Sequence, residues 1–270
     1  VTSDSTISVL RDVLRVYDHR YLDLDRRQRE RLVDGTRRVI GDEGLSDAAR
    51  AALPAADRLR AFCIQYGLRD ELERLIRDEV EGSPAGAVVV GGRIYAMYPY
   101  LRGVPRQDAD ITTEVGVEHR LDAVSWHGKR VRIRGTAMLE RVETNRTAVE
   151  VVLRERTTGK EHVFPAGPRS APGTGTGGFE ALADPAGVEP GRWDVHVAAT
   201  AHGVTREARF GSRRADGLKT APQRRPVGDH HVSVYFTKGG HLALVVREDA
   251  GATSLRARLR RRLSRSPAQR

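Results

Sequence analysis

Val131-Arg132-Ile133-Arg134-Gly135-Thr136-Ala137-Met138-Leu139 is the stretch that decides the fold class. Its residues alternate with a period of two, which is the period of a strand, so that Val131, Ile133 and Gly135 face one side and the arginines the other. One buried face and one wet face is the signature of an antiparallel sheet. The same alternation returns in Val149, Val151 and Leu153, and again in Trp193, Val195 and Val197. Further short runs of strand character cover 115–121, 130–142, 148–156, 178–182, 193–200, 205–210, 232–236 and 242–247. Glu189-Pro190-Gly191 supplies a turn ahead of Trp193. Short strands with turns between them, and no βα alternation, predict an immunoglobulin-like or fibronectin-III-like β-sandwich over residues 115–250.

Toward the N-terminus the period changes to that of helices. Ile7, Leu10, Leu14, Tyr17 and Tyr21 recur at spacings of three and four, with Asp4 or Ser5 as the expected cap. A second helix covers 26–40 and ends at Gly41 and Gly44, and Ser46 caps a short one through Leu53. Pro54 opens a further helix whose inner side is Leu59, Phe62, Cys63 and Tyr66, and Leu68, Leu72, Leu75, Ile76 and Val80 form the last. Beyond it, Gly91-Gly92 sits between two apolar runs as a two-residue hairpin turn. The reading is therefore an α+β chain: a helical domain over 1–82, a hairpin and connection over 83–114, the antiparallel sandwich over 115–250 and a basic tail, amphipathic or disordered, over 251–270. Two stretches rich in Gly, Pro and charge, 165–178 and 213–226, read as long surface connections.

Composition narrows the function classes. Apolar residues make up 39% and charged residues 30%, a balance that folds. The single cysteine, Cys63, lies on an apolar helical face and has no disulfide partner within the chain. No apolar run reaches the roughly 18 residues of a membrane span and Val1-Thr2-Ser3-Asp4 is no signal peptide, so a cytoplasmic location is the expectation. Residues 1–82 carry 15 basic and 17 acidic side chains, which offers nucleic acid no positive field. The last 15 residues, in contrast, hold seven arginines and no acid. There Leu255, Leu259 and Leu263 form one helical stripe among Arg256, Arg258, Arg260, Arg261, Arg262 and Arg265, which suits contact with an anionic membrane at its inner face or with a polyanion.

No pattern in the chain forms a complete catalytic centre. Asp108-Ala109-Asp110 has the D-x-D spacing of nucleotide-sugar transferases, but without a parallel α/β half around it the reading is a solvated loop. The glycine-rich residues 173–178 lack the Lys-Ser/Thr pair of a phosphate loop. His119, His127, His230, His231 and His241 have no metal-ligand spacing and read as surface or hairpin residues. No catalytic, cofactor or metal residue is assigned. Tyr95, Tyr98 and Tyr100 are the richest aromatic patch and the candidates for contact with a glycan or a partner, against packing at a domain interface.

Taken in order, Val13-Leu14-Arg15-Val16-Tyr17-Asp18, the helices through Leu75-Ile76-Arg77 and the strand region 131–139 resemble the part of bacterial family-2 glycosyltransferases of the wall teichoic acid type that follows their catalytic domain. The resemblance spans most of residues 5–210, in layout more than in any sharp motif. It implies a helical linker and immunoglobulin-like C-terminal region without the GT-A domain, a truncated, split or excised piece whose partners would be further copies of itself, a catalytic glycosyltransferase domain or an anionic wall polymer. The function expected is a non-catalytic accessory role in oligomerisation or polymer engagement. The alternatives are a free-standing protein- or glycan-binding sandwich and an intact transferase with an unrecognised site.

Overall fold

A computed structural model describes residues 2–83, 85–169 and 177–248. Its contacts divide into two compact units, one of Val1–Val115 with Arg141–Glu143, the other of Gly116–Glu140 with the residues from Thr144 onward.

The first unit opens with six helices: α1 (Thr2–Leu14), α2 (His19–Asp23), α3 (Arg26–Ile40), α4 (Asp47–Ala52), α5 (Ala55–Tyr66) and α6 (Arg69–Val80). The apolar spacing identified these helices well, and Leu10, Leu14, Tyr17, Tyr21, Val33, Ile40, Phe62, Ile64, Leu72 and Ile76 share one core. Local chemistry sets the ends. Asp25 and Gln28 form a reciprocal capping box on α3, and Ser46 accepts from the Ala49 amide at 3.2 Å at the start of α4. Gly67 stops α5 in a left-handed conformation at φ 68°.

Two details differ from expectation. The first helical run begins already at Thr2, so neither Asp4 nor Ser5 is its cap, and it breaks after Leu14; Asp18 then caps α2 by accepting from the Arg20 amide at 2.9 Å. Tyr66, the last residue of α5, is not on the inner side of the helix but 63% exposed, while Cys63 and Ile64 of the same turn are buried. After the helices, β1 (Gly86–Val90) and β2 (Arg93–Met97) pair as the expected hairpin, with Gly91 and Gly92 both at positive φ, and the one-turn helix α7 (Arg106–Ala109) follows.

The second unit is β-rich: β3 (Val117–His127), β4 (Arg130–Leu139), β5 (Ala148–Glu155), β6 (Glu161–Pro168), β7 (Gly178–Ala183), β8 (Gly191–Ala201), β9 (Val204–Arg209), β10 (Gln223–Val227), β11 (His230–Phe236) and β12 (Leu242–Glu248). All their pairings are antiparallel, as expected. In β4 the alternation is complete, with Val131, Ile133, Gly135, Ala137 and Leu139 inside.

The division into two separate sheets does not appear. Pairing runs without interruption through β10-β11-β12-β8-β5-β6-β7-β4-β3, with β9 alongside β8. The reason lies in β6, whose residues Glu161–Pro165 pair with β5 while Ala166–Pro168 pair with β7, so one strand turns the corner and the sheet curls into a half-barrel. The curl encloses Trp193, Phe179, Phe210, Val151, Val195, Val197 and Leu244. Two strands lie where surface connections were expected, β6 as far as Pro168 and β10 across 223–227, and β3 continues six residues past Leu121 over a bulge between Leu121 and Ala123.

Candidate functional site

The three tyrosines sit in the first unit on and beside the hairpin, and none of them is fully exposed. Tyr98 and Tyr100 meet edge to face at 5.7 Å. The Tyr100 hydroxyl donates to the Asp78 carboxylate at 2.7 Å while the Arg74 guanidinium lies over its ring at 4.2 Å, so both ends of the side chain are occupied from α6. Burial raises the phenol of Tyr98 above its ordinary range, and burial followed by the Asp78 charge does the same for Tyr100. Tyr95 lines a pocket of about 300 Å³ together with Tyr98. It stands opposite Val88 in the hairpin and lines a cleft of 660 Å³.

That cleft is lined by arginine. Arg50 on α4, Arg58 on α5, Arg93 on β2 and Arg106 on α7 all reach its wall. Arg58 is 7% exposed and donates to the carbonyl oxygens of Leu53 at 2.6 Å, Arg50 at 3.1 Å and Asp108 at 3.2 Å, and also to that of Asp110. A guanidinium with five donors is the side chain able to tie that many carbonyls together. The reading of Asp108-Ala109-Asp110 as a solvated loop is corrected: Asp108 is 4% exposed and accepts from Arg50 Nε at 2.8 Å. Asp110 accepts from the Thr112 amide at 2.9 Å and pairs with Arg93 at 2.8 Å. Burial alone would raise the Asp110 carboxyl, but the Thr112 hydrogen bonds together with the charges of Arg93 and Arg58 outweigh it and hold it below its usual value.

Chemically, both carboxylates of the D-x-D are spent on arginine. Each is held in place as a structural counter-ion, an arrangement opposite to the convergent, cation-seeking pair that a diphosphate site requires. Among the described residues no group of three or more His, Cys, Asp or Glu side chains is placed to hold a metal ion. Arg106 makes no ion pair among the described residues. Sequence reasoning missed the four arginines, although one signal was present: Arg58 interrupts the apolar run of α5 beside Leu59 and Phe62, and a charge on a buried helical face implies partners.

The histidines are not all at the surface. His119 on β3 is half-buried against Phe210 at 5.5 Å between ring centres, and its Nδ1, like that of His241, is buried without a hydrogen-bond partner. Burial lowers both imidazoles, aided by Arg213 and by His241 in the case of His119 and by Arg209 in the case of His241. His196 faces Glu207 at 2.7 Å and His162 faces Glu189 at 2.9 Å. Cys63 is buried in α5 and its thiol is pushed up to about 12, which removes it as a nucleophile. The tail arginines Arg256, Arg258, Arg260, Arg261, Arg262 and Arg265 lie outside the described residues.

The model of the family described as TarS beta-glycosyltransferase C-terminal domain 1 matches residues 110–246, half of the chain. Among solved structures the chain is similar to the crystal structure of S. aureus TarS 217–571, with a TM-score of 0.56 at 12% identity, over 92% of this chain and 71% of that one. It is also similar to the crystal structure of S. aureus TarS at a TM-score of 0.45 and 12% identity, over 84% of this chain but only 40% of that one. No curated protein sequence matches it.

Proposed function

Because the chain belongs to the TarS beta-glycosyltransferase C-terminal domain 1 family, we propose that it is a non-catalytic accessory region that works with a wall-polymer glycosyltransferase by engaging the anionic polymer on which that enzyme acts. The observation that carries the reading is the family match over 110–246, most of which falls on the β-rich unit. The chemistry of the first unit agrees, since its one transferase-like motif is committed to holding Arg50 and Arg93. The polymer is proposed as the partner on grounds of charge: the chain carries a formal +10, and a polyol-phosphate wall polymer repeats a negative charge along its length.

The test is retention. In native affinity electrophoresis the full chain is expected to be retarded by purified wall teichoic acid and released as salt rises. Unaltered mobility over a range of polymer concentrations at low salt would overturn the reading.

A further inference from the structure

The outer face of one end of the β-rich sheet carries arginines that make no ion pair among the described residues. Residues 213–248 contain seven basic side chains, Arg213, Arg214, Lys219, Arg224, Arg225, Lys238 and Arg247, and three acidic ones. None of the seven makes an ion pair among the described residues. Elsewhere in the same unit arginines find partners: Arg134 with Glu180, Arg154 with Glu161 and Glu207, Arg156 and Arg209 with Asp194.

Register shows which of them share a face. Val232, Val234, Leu244 and Val246 are buried and define the inner side of β11 and β12. Residues between them, and those directly opposite in the ladder, point outward. Arg224 is opposite Ser233, Ser233 opposite Val245, and Val245 opposite Arg192, so Arg224 and Arg192 stand on one row across β10, β11, β12 and β8. Arg247 is two residues along from Val245 on the same face, opposite His231. Arg192, Arg224 and Arg247 are all exposed, and Arg192 too makes no ion pair among the described residues. Asp194, two residues from Arg192 on the same face, is already held by Arg156 at 2.6 Å and Arg209 at 3.0 Å. Arg225, opposite the buried Val232, and Arg214 lie off this row, over Trp126 at 5.9 Å and over Phe236 at 4.9 Å.

We propose that this outer face of β10-β11-β12-β8 is the docking surface for a linear phosphate polymer, with Arg192, Arg224 and Arg247 as its contacts. The inference rests on the accessory reading above and places its binding site. At about 4.8 Å between strands, Arg192 and Arg224 are roughly 14 Å apart at the backbone, too far for a single phosphate to satisfy both but suited to a chain of repeated charges. A bilayer fits less well, because none of the large apolar side chains exposed in the described residues lies in 210–248, so the face has nothing to insert.

The full chain with Arg192→Glu, Arg224→Glu and Arg247→Glu together is compared with a control of equal charge change on exposed α3 positions, Arg27→Glu, Arg31→Glu and Arg38→Glu. Long-chain inorganic polyphosphate is the probe, titrated at several salt concentrations, with unfolding midpoints confirming that both variants fold. The face variant is expected to weaken binding at least about tenfold at low salt and to flatten the slope of log K against log salt by about two, while the control changes neither by as much. Equal losses in the two variants would reduce the effect to net charge and overturn the proposal. Loss of binding to phosphatidylglycerol vesicles with polyphosphate binding intact would overturn it in favour of a membrane surface. Unchanged polyphosphate binding by the face variant, with retention by wall teichoic acid preserved, would remove this face and leave the accessory reading standing.

Discussion

Asp108 shows how far the meaning of a residue depends on what reaches it. In the sequence it is the first acid of a D-x-D; in the fold it is a buried counter-ion 2.8 Å from an arginine 58 positions earlier. No local pattern encodes that distance, which is why the arginine cleft was not legible: partner choice is visible only in three dimensions. Gly135 was legible as an inward position, and the reason it is glycine appears only in the structure, where a Cβ would run into the Arg120 carbonyl oxygen and lie 2.8 Å from Phe210 Cζ. A prediction follows for Asp108→Ala. Removing the carboxylate leaves Arg50, whose side chain is 22% exposed, without its main partner, and the cost expected is about 3 kcal/mol in equilibrium unfolding by urea. A loss below about 0.5 kcal/mol would show that water replaces the carboxylate and that the pair has no structural role.

The elements that were easy to read are those buried on one face, because burial is what imposes alternation on β4, β5 and β8. Those that escaped are exposed along most of their length. β6 has two prolines and no fully buried residue, and β10 reads Gln-Arg-Arg-Pro-Val with only Val227 buried. Proline argues against a central strand and is tolerated at an edge or a corner, which is where both strands lie. At this scale the β-rich unit carries a pH dependence. His119 enters from β3 and His241 immediately precedes β12, while His196 comes from β8; all three imidazoles are held below their ordinary 6.5 by burial. A folded pKa below the unfolded one means that the unfolded chain binds more protons, so stability falls as pH drops below about 6.5. The acids give a separate window. Glu189 is lowered to about 2 by Lys160 and His162, so its contribution is lost only below about 4.5. Between pH 7 and 5 the unfolding midpoint is expected to drop on the order of a few degrees, and His119→Gln with His241→Gln to flatten that slope. An identical slope in the double variant would place the proton uptake elsewhere.

As a whole the molecule joins a helical stretch of near-balanced charge, 15 basic and 17 acidic side chains over residues 1–82, to a β-rich unit in whose last strands the basic side chains make no ion pair among the described residues. That asymmetry is the ground on which a polymer-holding role is proposed. What the sequence offered toward function was the absence of alternating strand and helix order around its D-x-D, on which the proposal of a holding role draws. The identity of the binding face was not legible, because it depends on strand register across four strands distant in the chain. The most direct measurement is turnover: the purified chain, incubated with a panel of nucleotide-diphosphate sugars and a polyol-phosphate acceptor, is followed for release of nucleoside diphosphate. The account predicts no release above the protein-free rate. Release that co-purifies with the chain and is abolished by Arg50→Ala or Arg93→Ala in the cleft would contradict it.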